Sequence, residues 1–274
     1  MNLPTANGVP LTALAPYART TVRLHPAAGE PTARESHVGG PLLWPAGESW
    51  PTCPVTWPPQ VEATDDGWTG GHPDDEPVPS MIGAAQFFKE DFPELPFPEG
   101  TDVAQVLLCP THHEGRHVFG PAIRVVWRDS AAVTDLAEVP EPPEVADDEL
   151  LPEPRTLRPC RFDEFPGLDE FSKEQRTELD LPALRDDVEY ELGQFSKIAG
   201  WTAWYAGSPW ELDCRECGAR LQQAIALATQ EDEMPCGCDV EDDEEAGWEI
   251  GRQGSLNVFL CPTDPTHPVK VRIE

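Results

Sequence analysis

Ser36-His37-Val38-Gly39-Gly40-Pro41-Leu42-Leu43-Trp44 reads as a turn-forming loop rich in Gly and Trp, and its grammar returns as Ser196-Lys197-Ile198-Ala199-Gly200-Trp201-Thr202-Ala203-Trp204. Outward from each copy the parallel continues. Trp50 and Cys53 stand where Trp210 and Cys214 stand, and Ala84-Ala85-Gln86-Phe87 stands where Gln222-Gln223-Ala224-Ile225-Ala226-Leu227 stands. Gln105-Val106-Leu107-Leu108-Cys109-Pro110-Thr111 matches Asn257-Val258-Phe259-Leu260-Cys261-Pro262-Thr263. Agreement in order and approximate spacing predicts two related β-rich halves, each with a Gly/Trp loop, a Cys-bearing turn and strands ending in Cys-Pro-Thr. The fold class that follows is α+β and β-rich, with antiparallel strands, short connecting helices and long Pro-rich acidic loops.

Apolar, β-branched runs place strands at 19–24, 81–88, 103–109 and 122–127, the last with the alternation of a half-buried strand. Residues 1–134 then form the first half and 194–274 the second, which carries a Cys-x2-Cys. Between them, 135–157 combines many acids and prolines and reads as a linker by composition. Residues 158–193 read as a helical connector: Phe171, Leu179, Leu181, Leu184, Val188 and Leu192 suggest short helices interrupted at Pro182. Ser172, followed by Glu174 and Gln175, supplies an N-terminal cap, and Gly193 a stop.

Composition narrows the function. With 19 basic and 50 acidic side chains the 274-residue chain has a formal charge of −31. Affinity for nucleic acid comes from neutralising phosphates with clustered Lys and Arg, and an anionic membrane surface repels such a chain, so neither is an expected partner. No apolar run approaches the roughly 20 residues of a spanning helix. Proline, at 32 positions, exceeds twice its background share of about 5%, which argues against a mainly helical fold. The start, Met1-Asn2-Leu3-Pro4, has no basic n-region and the following apolar stretch is broken by Pro10 and Pro16, so no signal peptide is read and a cytoplasmic location is expected. In a reducing cytosol, clustered thiols point to a metal before disulfides.

Cys214-x2-Cys217-Gly218 has the form of a zinc knuckle, in which two thiolates in a tight turn share one tetrahedral ion. If 219–229 and 254–261 form an antiparallel pair, Cys261 returns beside the knuckle. Cys236 or Cys238 then folds back to complete four ligands, and a loop of about 24 residues has that reach at about 3.3 Å per residue. The candidate metal residues are therefore Cys214, Cys217, Cys236, Cys238 and Cys261, with the choice among the last three open, and the cofactor is a structural zinc. Metal-free thiols and a redox Cys-x2-Cys are the alternatives, the latter disfavoured because a strand-like segment rather than a helix follows. Cys53 and Cys109 read as buried small apolar residues, or as a vestige of the same site with His112 nearby.

His113-Glu114-Gly115-Arg116-His117 matches the metalloprotease string HExxH, whose chemistry needs a helix so that both imidazoles share a face. Pro110 before it, Gly115 inside it and Pro121 after it disfavour a helix, and a solvent-exposed loop between strands is the expectation. No P-loop, GxGxxG or GxSxG elbow occurs. No catalytic residue is assigned, and the chain reads as a non-enzyme. The tryptophans of the two Gly/Trp loops read as turn and packing residues; a peptide groove lined by Trp44, Trp57, Trp201, Trp204 and Trp210 is the functional alternative.

The string Ser36 to Pro41 with Trp50-Pro51-Thr52-Cys53, together with Lys197 to Trp201, Cys214-Arg215-Glu216-Cys217-Gly218 and Val258-Phe259-Leu260-Cys261, resembles the YwqG-like family. That bacterial family has no assigned biochemical function and is distantly similar to the programmed cell death protein 2 group. The likeness covers about 19–130 and 190–274 and implies a mixed, β-rich fold of two related halves. The eukaryotic relatives are implicated in escorting a ribosomal protein during small-subunit assembly. Ala199, where the family usually has a second Gly, and the acidic insertion bearing Cys236 and Cys238 depart from its pattern. The expected function is a cytoplasmic, chaperone-like binding protein that engages a basic protein or peptide through an acidic surface. A hydrolase using the HExxH-like string and an immunity or antitoxin-type protein are the alternatives.

Overall fold

The computed structural model describes residues 5–6, 9–10, 14–54, 78–114, 119–144, 146–181, 194–205, 209, 211–231, 236, 238, 240, 247–251 and 253–274. After a two-residue hairpin of β1 (Thr5–Ala6) and β2 (Val9–Pro10), the strands run in order β3 (Arg19–Arg23), β4 (Ala27–Ala28), β5 (His37–Val38), β6 (Ile82–Phe88), β7 (Val103–Glu114) and β8 (Phe119–Arg128). They continue with β9 (Arg155–Thr156), β10 (Cys160–Glu164), β11 (Lys197–Ala199), β12 (Gln222–Ala228), β13 (Ser255–Leu260) and β14 (Lys270–Ile273). The one α-helix whose full span is described is α1 (Lys173–Glu178), and among the described residues no helix is long and apolar enough to cross a membrane.

Two six-stranded antiparallel sheets result, with orders β10-β3-β11-β12-β13-β14 and β4-β9-β5-β6-β7-β8. They are joined by one ribbon. The segment carrying β3 and β4 runs antiparallel to the segment carrying β9 and β10, and each segment bends so that one part pairs in each sheet. The bend is held by the Leu24 N–H to the Ser196 carbonyl (2.9 Å) and the Arg158 N–H to the Leu24 carbonyl (2.8 Å).

Strand period explains how both faces are used. Ala104, Val106 and Leu108 of β7 and Leu256, Val258 and Leu260 of β13 enter one shared core that draws on both sheets, as i, i+2 and i+4 must. The intervening positions face outward into smaller clusters. Leu107 packs with Leu42, Trp44 and Met81, while Phe259 and Cys261 pack with Trp204, Leu212 and Cys214.

The two meanders, β5 to β8 and β11 to β14, agree in detail. His37 pairs with Gln86 and Val38 with Ala85, as Lys197 pairs with Ala226 and Ile198 with Ile225. A register shift falls between Gly83 and Ala85 in one and between Gln223 and Ile225 in the other. Each Cys-bearing turn is pinned by one isolated bridge, Thr52 with Ser80 and Asp213 with Arg220. The flanking bonds match too: the Cys53 N–H reaches the Pro79 carbonyl (3.0 Å) and the Cys214 N–H the Ala219 carbonyl (2.8 Å).

Some sequence expectations require correction. The stretch 135–157 is not free of structure, since Leu150 is fully buried in the shared core and Arg155–Thr156 is β9, inside a sheet. Composition rich in Pro and acids disfavours helices, but a two-residue strand asks only for backbone pairing. The segment read as a helical connector opens with strand β10, and α1 is six residues long, closed at its start by the expected cap. Gln175 N–H donates to Ser172 Oγ (3.2 Å) and Ser172 N–H to Gln175 Oε1 (2.8 Å). Residues 182–193, including Pro182, Leu184, Val188, Leu192 and Gly193, lie outside the described residues.

Candidate metal centres

Among the described residues, three groups of Cys and His bring their donor atoms within 4.8 Å of one another: Cys214, Cys217, Cys261 and His267; His25, Cys160, Cys236 and Cys238; and Cys53, Cys109 and His113. Each could hold a metal ion. A tetrahedral zinc with bonds of about 2.3 Å to sulfur and about 2.0 Å to nitrogen sets S···S near ~3.8 Å and S···N near ~3.5 Å.

The first group is built by the tight turn after Cys214 and by the end of β13. The Gly218 N–H bonds the Cys214 carbonyl (2.8 Å), and Gly218 takes φ +72°, a left-handed conformation that brings the chain back behind the two thiols. Because β12 and β13 are antiparallel, Cys261 returns beside this turn, with its Sγ 3.5 Å from that of Cys217. His267 supplies the fourth donor, its Nδ1 3.4 Å from Cys214 Sγ. Both spacings suit one tetrahedral ion. On the far side of the ring, Nε2 lies 3.8 Å from Asp264 Oδ2, the kind of outer carboxylate that orients a ligating imidazole. Burial acts to raise the Cys261 pKa, but the N–H groups of Asp264 and Thr263, with His267 and Cys217, bring it down to about 6. His267 is shifted upward, chiefly by Cys261.

Cys236 and Cys238 do not join this group. They belong to the second, with His25 from the ribbon bend and Cys160 from the start of β10. His25 Nε2 stands 3.4 Å from Cys236 Sγ and 3.2 Å from Cys238 Sγ. Loop reach allowed either destination, and the crossing ribbon, which sequence does not display, decides it. Burial, followed by the two neighbouring thiols, pushes the Cys160 pKa up to about 12.

The third group sits under the other meander. Cys53, Cys109 and His113 are all buried, with Cys53 Sγ 3.4 Å from His113 Nε2. Hydrogen bonding from Cys53 lowers the Cys109 pKa to about 4 against the effect of burial, aided by His113 and Thr111. His113 is 1% exposed and lies in β7, so the expectation of a solvent-exposed loop is corrected. The glycine and prolines that forbid a helix there do not forbid a strand. HExxH chemistry needs a helix, and His113 and Glu114 are on a strand; Gly115, Arg116 and His117 lie outside the described residues. His112, the neighbour the sequence suggested for Cys109, instead faces Asp147, with Nε2 to Oδ2 at 3.3 Å.

His25, Cys160 and His267 are donors not singled out from the sequence, where His113 figures only within the HExxH-like string. His267 had a faint signal, a His six positions beyond Cys261 in a Pro-rich turn. The tryptophans divide as packing groups: Trp44 and Trp204 are buried, Trp204 stacking on Phe259 with centroids 5.8 Å apart, and Trp201 lies beneath the Arg19 guanidinium. Trp57 and Trp210 lie outside the described residues. No protein-family model matches the chain and no curated protein matches it.

Proposed function

We propose that this protein is a non-enzymatic, chaperone-like cytoplasmic binding protein, in which a zinc-stapled scaffold of two related halves displays an acidic surface to a basic protein or peptide. The observation that carries the zinc reading is the convergence of Cys214, Cys217, Cys261 and His267 at tetrahedral spacings. A site made of four such side chains is closed, with no position left for substrate, and a closed site is structural. The matched registers, bulges and bridges of the two meanders support the reading of two related halves. The acidic surface rests on Asp135, Glu138, Glu141, Glu144, Asp148, Glu149 and Glu153, all exposed, in a chain whose formal net charge is −31. Such a field steers cationic partners and is weakened by salt.

An oligo-lysine peptide titrated into the reduced, zinc-loaded full chain should bind, with affinity falling about tenfold from ~50 to ~300 mM salt. Absence of binding, or binding indifferent to salt, sinks the acidic-surface reading. Separately, Cys214→Ser with Cys217→Ser should release zinc from the chain; unchanged zinc content in that variant sinks the zinc reading.

A further inference from the structure

The ribbon that joins the two sheets carries a donor set of its own. His25 lies at the bend between β3 and β4, is 1% exposed, and takes φ +46°, a left-handed conformation that non-glycine residues seldom adopt. That turn aims its imidazole at the opposite segment. Cys160, the first residue of β10, pairs in register with Arg23, which brings its thiol to the same bend. From the loop after β12, Cys236 and Cys238 bring two more sulfurs, each within 3.4 Å of His25 Nε2 and 2.9 Å from one another, so that joint ligation of a tetrahedral ion spreads the pair to about 3.8 Å. Both thiols thus stand beside the same imidazole nitrogen, and Cys236 and Cys238 can grip one ion together.

We propose that His25, Cys160, Cys236 and Cys238 hold a second divalent metal of borderline-soft type, Zn²⁺ above all, at the seam between the sheets. This goes beyond the zinc at Cys214, because it uses four other residues from three other segments. Three thiols and an imidazole exchange only weak hydrogen bonds among themselves, which do little to offset the ordering of three chain segments. A shared cation, by contrast, is matched to this ligand set in type and number. Ligation displaces the thiol protons, so the resting protonation of Cys160 gives way once the ion is present. The consequence is positional. In sequence the acidic run Asp239-Val240-Glu241-Asp242-Asp243-Glu244-Glu245 follows Cys238 directly, and the metal ties Cys238 to the ribbon that both sheets share.

Peptide-resolved alkylation of the intact, reduced chain reads each cysteine separately. With zinc bound, Cys160, Cys236 and Cys238 should react with a maleimide at least about tenfold more slowly than after chelation, and the three should be released together. Cys160→Ser should lower the zinc held per chain by one equivalent, also in a Cys214→Ser/Cys217→Ser background, so loss of the first site does not mask the second. Alkylation at Cys236 and Cys238 that ignores zinc and chelator overturns the proposal, as does a disulfide between them in protein freshly isolated under reducing conditions. The alkylation result stands on the native chain whether or not any variant folds.

Discussion

His37 and Lys197 hold the same register position in the two sheets, each in the short strand that leads into a meander, and each side chain reaches the carbonyl of the residue four places on. His37 Nε2 meets the Pro41 carbonyl at 3.0 Å while Gly40 N–H donates to Nδ1 at 3.1 Å, so a neutral ring is satisfied by its own loop. Burial keeps it neutral, lowering its pKa to about 4. Lys197 Nζ donates to the Trp201 carbonyl but also carries a charge, which the loop cannot neutralise. Glu164 does so from β10, at 2.6 Å, and also accepts from Thr21 Oγ1 (2.9 Å) and the Trp201 N–H (2.6 Å). One sheet closes its leading strand locally, and the other depends on the crossing ribbon to do it.

That dependence is the larger energy. Lys197 and Glu164 side chains are 3% and 5% exposed. Lys197→Met leaves a buried carboxylate without its cation and should cost about 3–5 kcal/mol in denaturant unfolding, because the desolvation of Glu164 is no longer compensated. Adding Glu164→Gln, which keeps an acceptor for Thr21 and Trp201 but removes the charge, should recover more than half of the loss. A single-variant cost below about 1 kcal/mol would mean that the two sheets are less different than the contacts indicate.

The ribbon is also where the sequence is least legible. The long strands β6, β7, β8, β12 and β13 announce themselves through runs such as Val106-Leu107-Leu108 and Val258-Phe259-Leu260, since their alternate residues must serve two apolar faces. The knuckle at Cys214 and the return of Cys261 follow from local spacing and antiparallel pairing. β9 and β10 have no such signature. They are fixed by pairing with segments far away in the chain, β9 with β4 and β5 and β10 with β3; β10 at its sheet edge needs no apolar pattern, and the two residues of β9 are too few to show one. His25 and Cys160 meet only because of that pairing, which is why a spacing argument sent Cys236 and Cys238 to the wrong group. His113 is obscured differently: Gly115 and the flanking prolines break a helix, but a strand such as β7 tolerates them.

Acid separates the two leading strands from the other side. In the unfolded chain His37 takes up a proton near pH 6.5, and in the folded protein not until about 4. Between those values the unfolded state binds more protons, so the stability contributed by this group is complete above pH 6.5 and is lost as the pH falls through about 4. The shift corresponds to a change on the order of 3 kcal/mol across that window. His37→Asn should flatten the stability profile between pH 6.5 and 4 relative to the parent, the carboxylates and the other histidines being common to both. Parallel profiles would show that His37 protonates without cost and that its loop is not the closed unit described above.

The smallest difference lies two residues further along each strand. Gly39 and Ala199 share a left-handed backbone, at φ +68° and +60°. At Gly39 no side chain fits, since a Cβ would stand 2.3 Å from the Glu153 carbonyl oxygen. Ala199 keeps the same turn with a methyl group, half-buried against the shared core, and a non-glycine residue in this conformation costs about 1–2 kcal/mol. Ala199→Gly removes that strain, while glycine's greater freedom in the unfolded chain and the lost methyl contact take back much of the gain. The net expectation is a stabilisation of about 0.5 kcal/mol, read as a small rise in unfolding midpoint at unchanged denaturant slope. A loss of stability instead would mean that the methyl contact outweighs the strain, so that the second sheet holds its turn by packing where the first holds it by backbone alone.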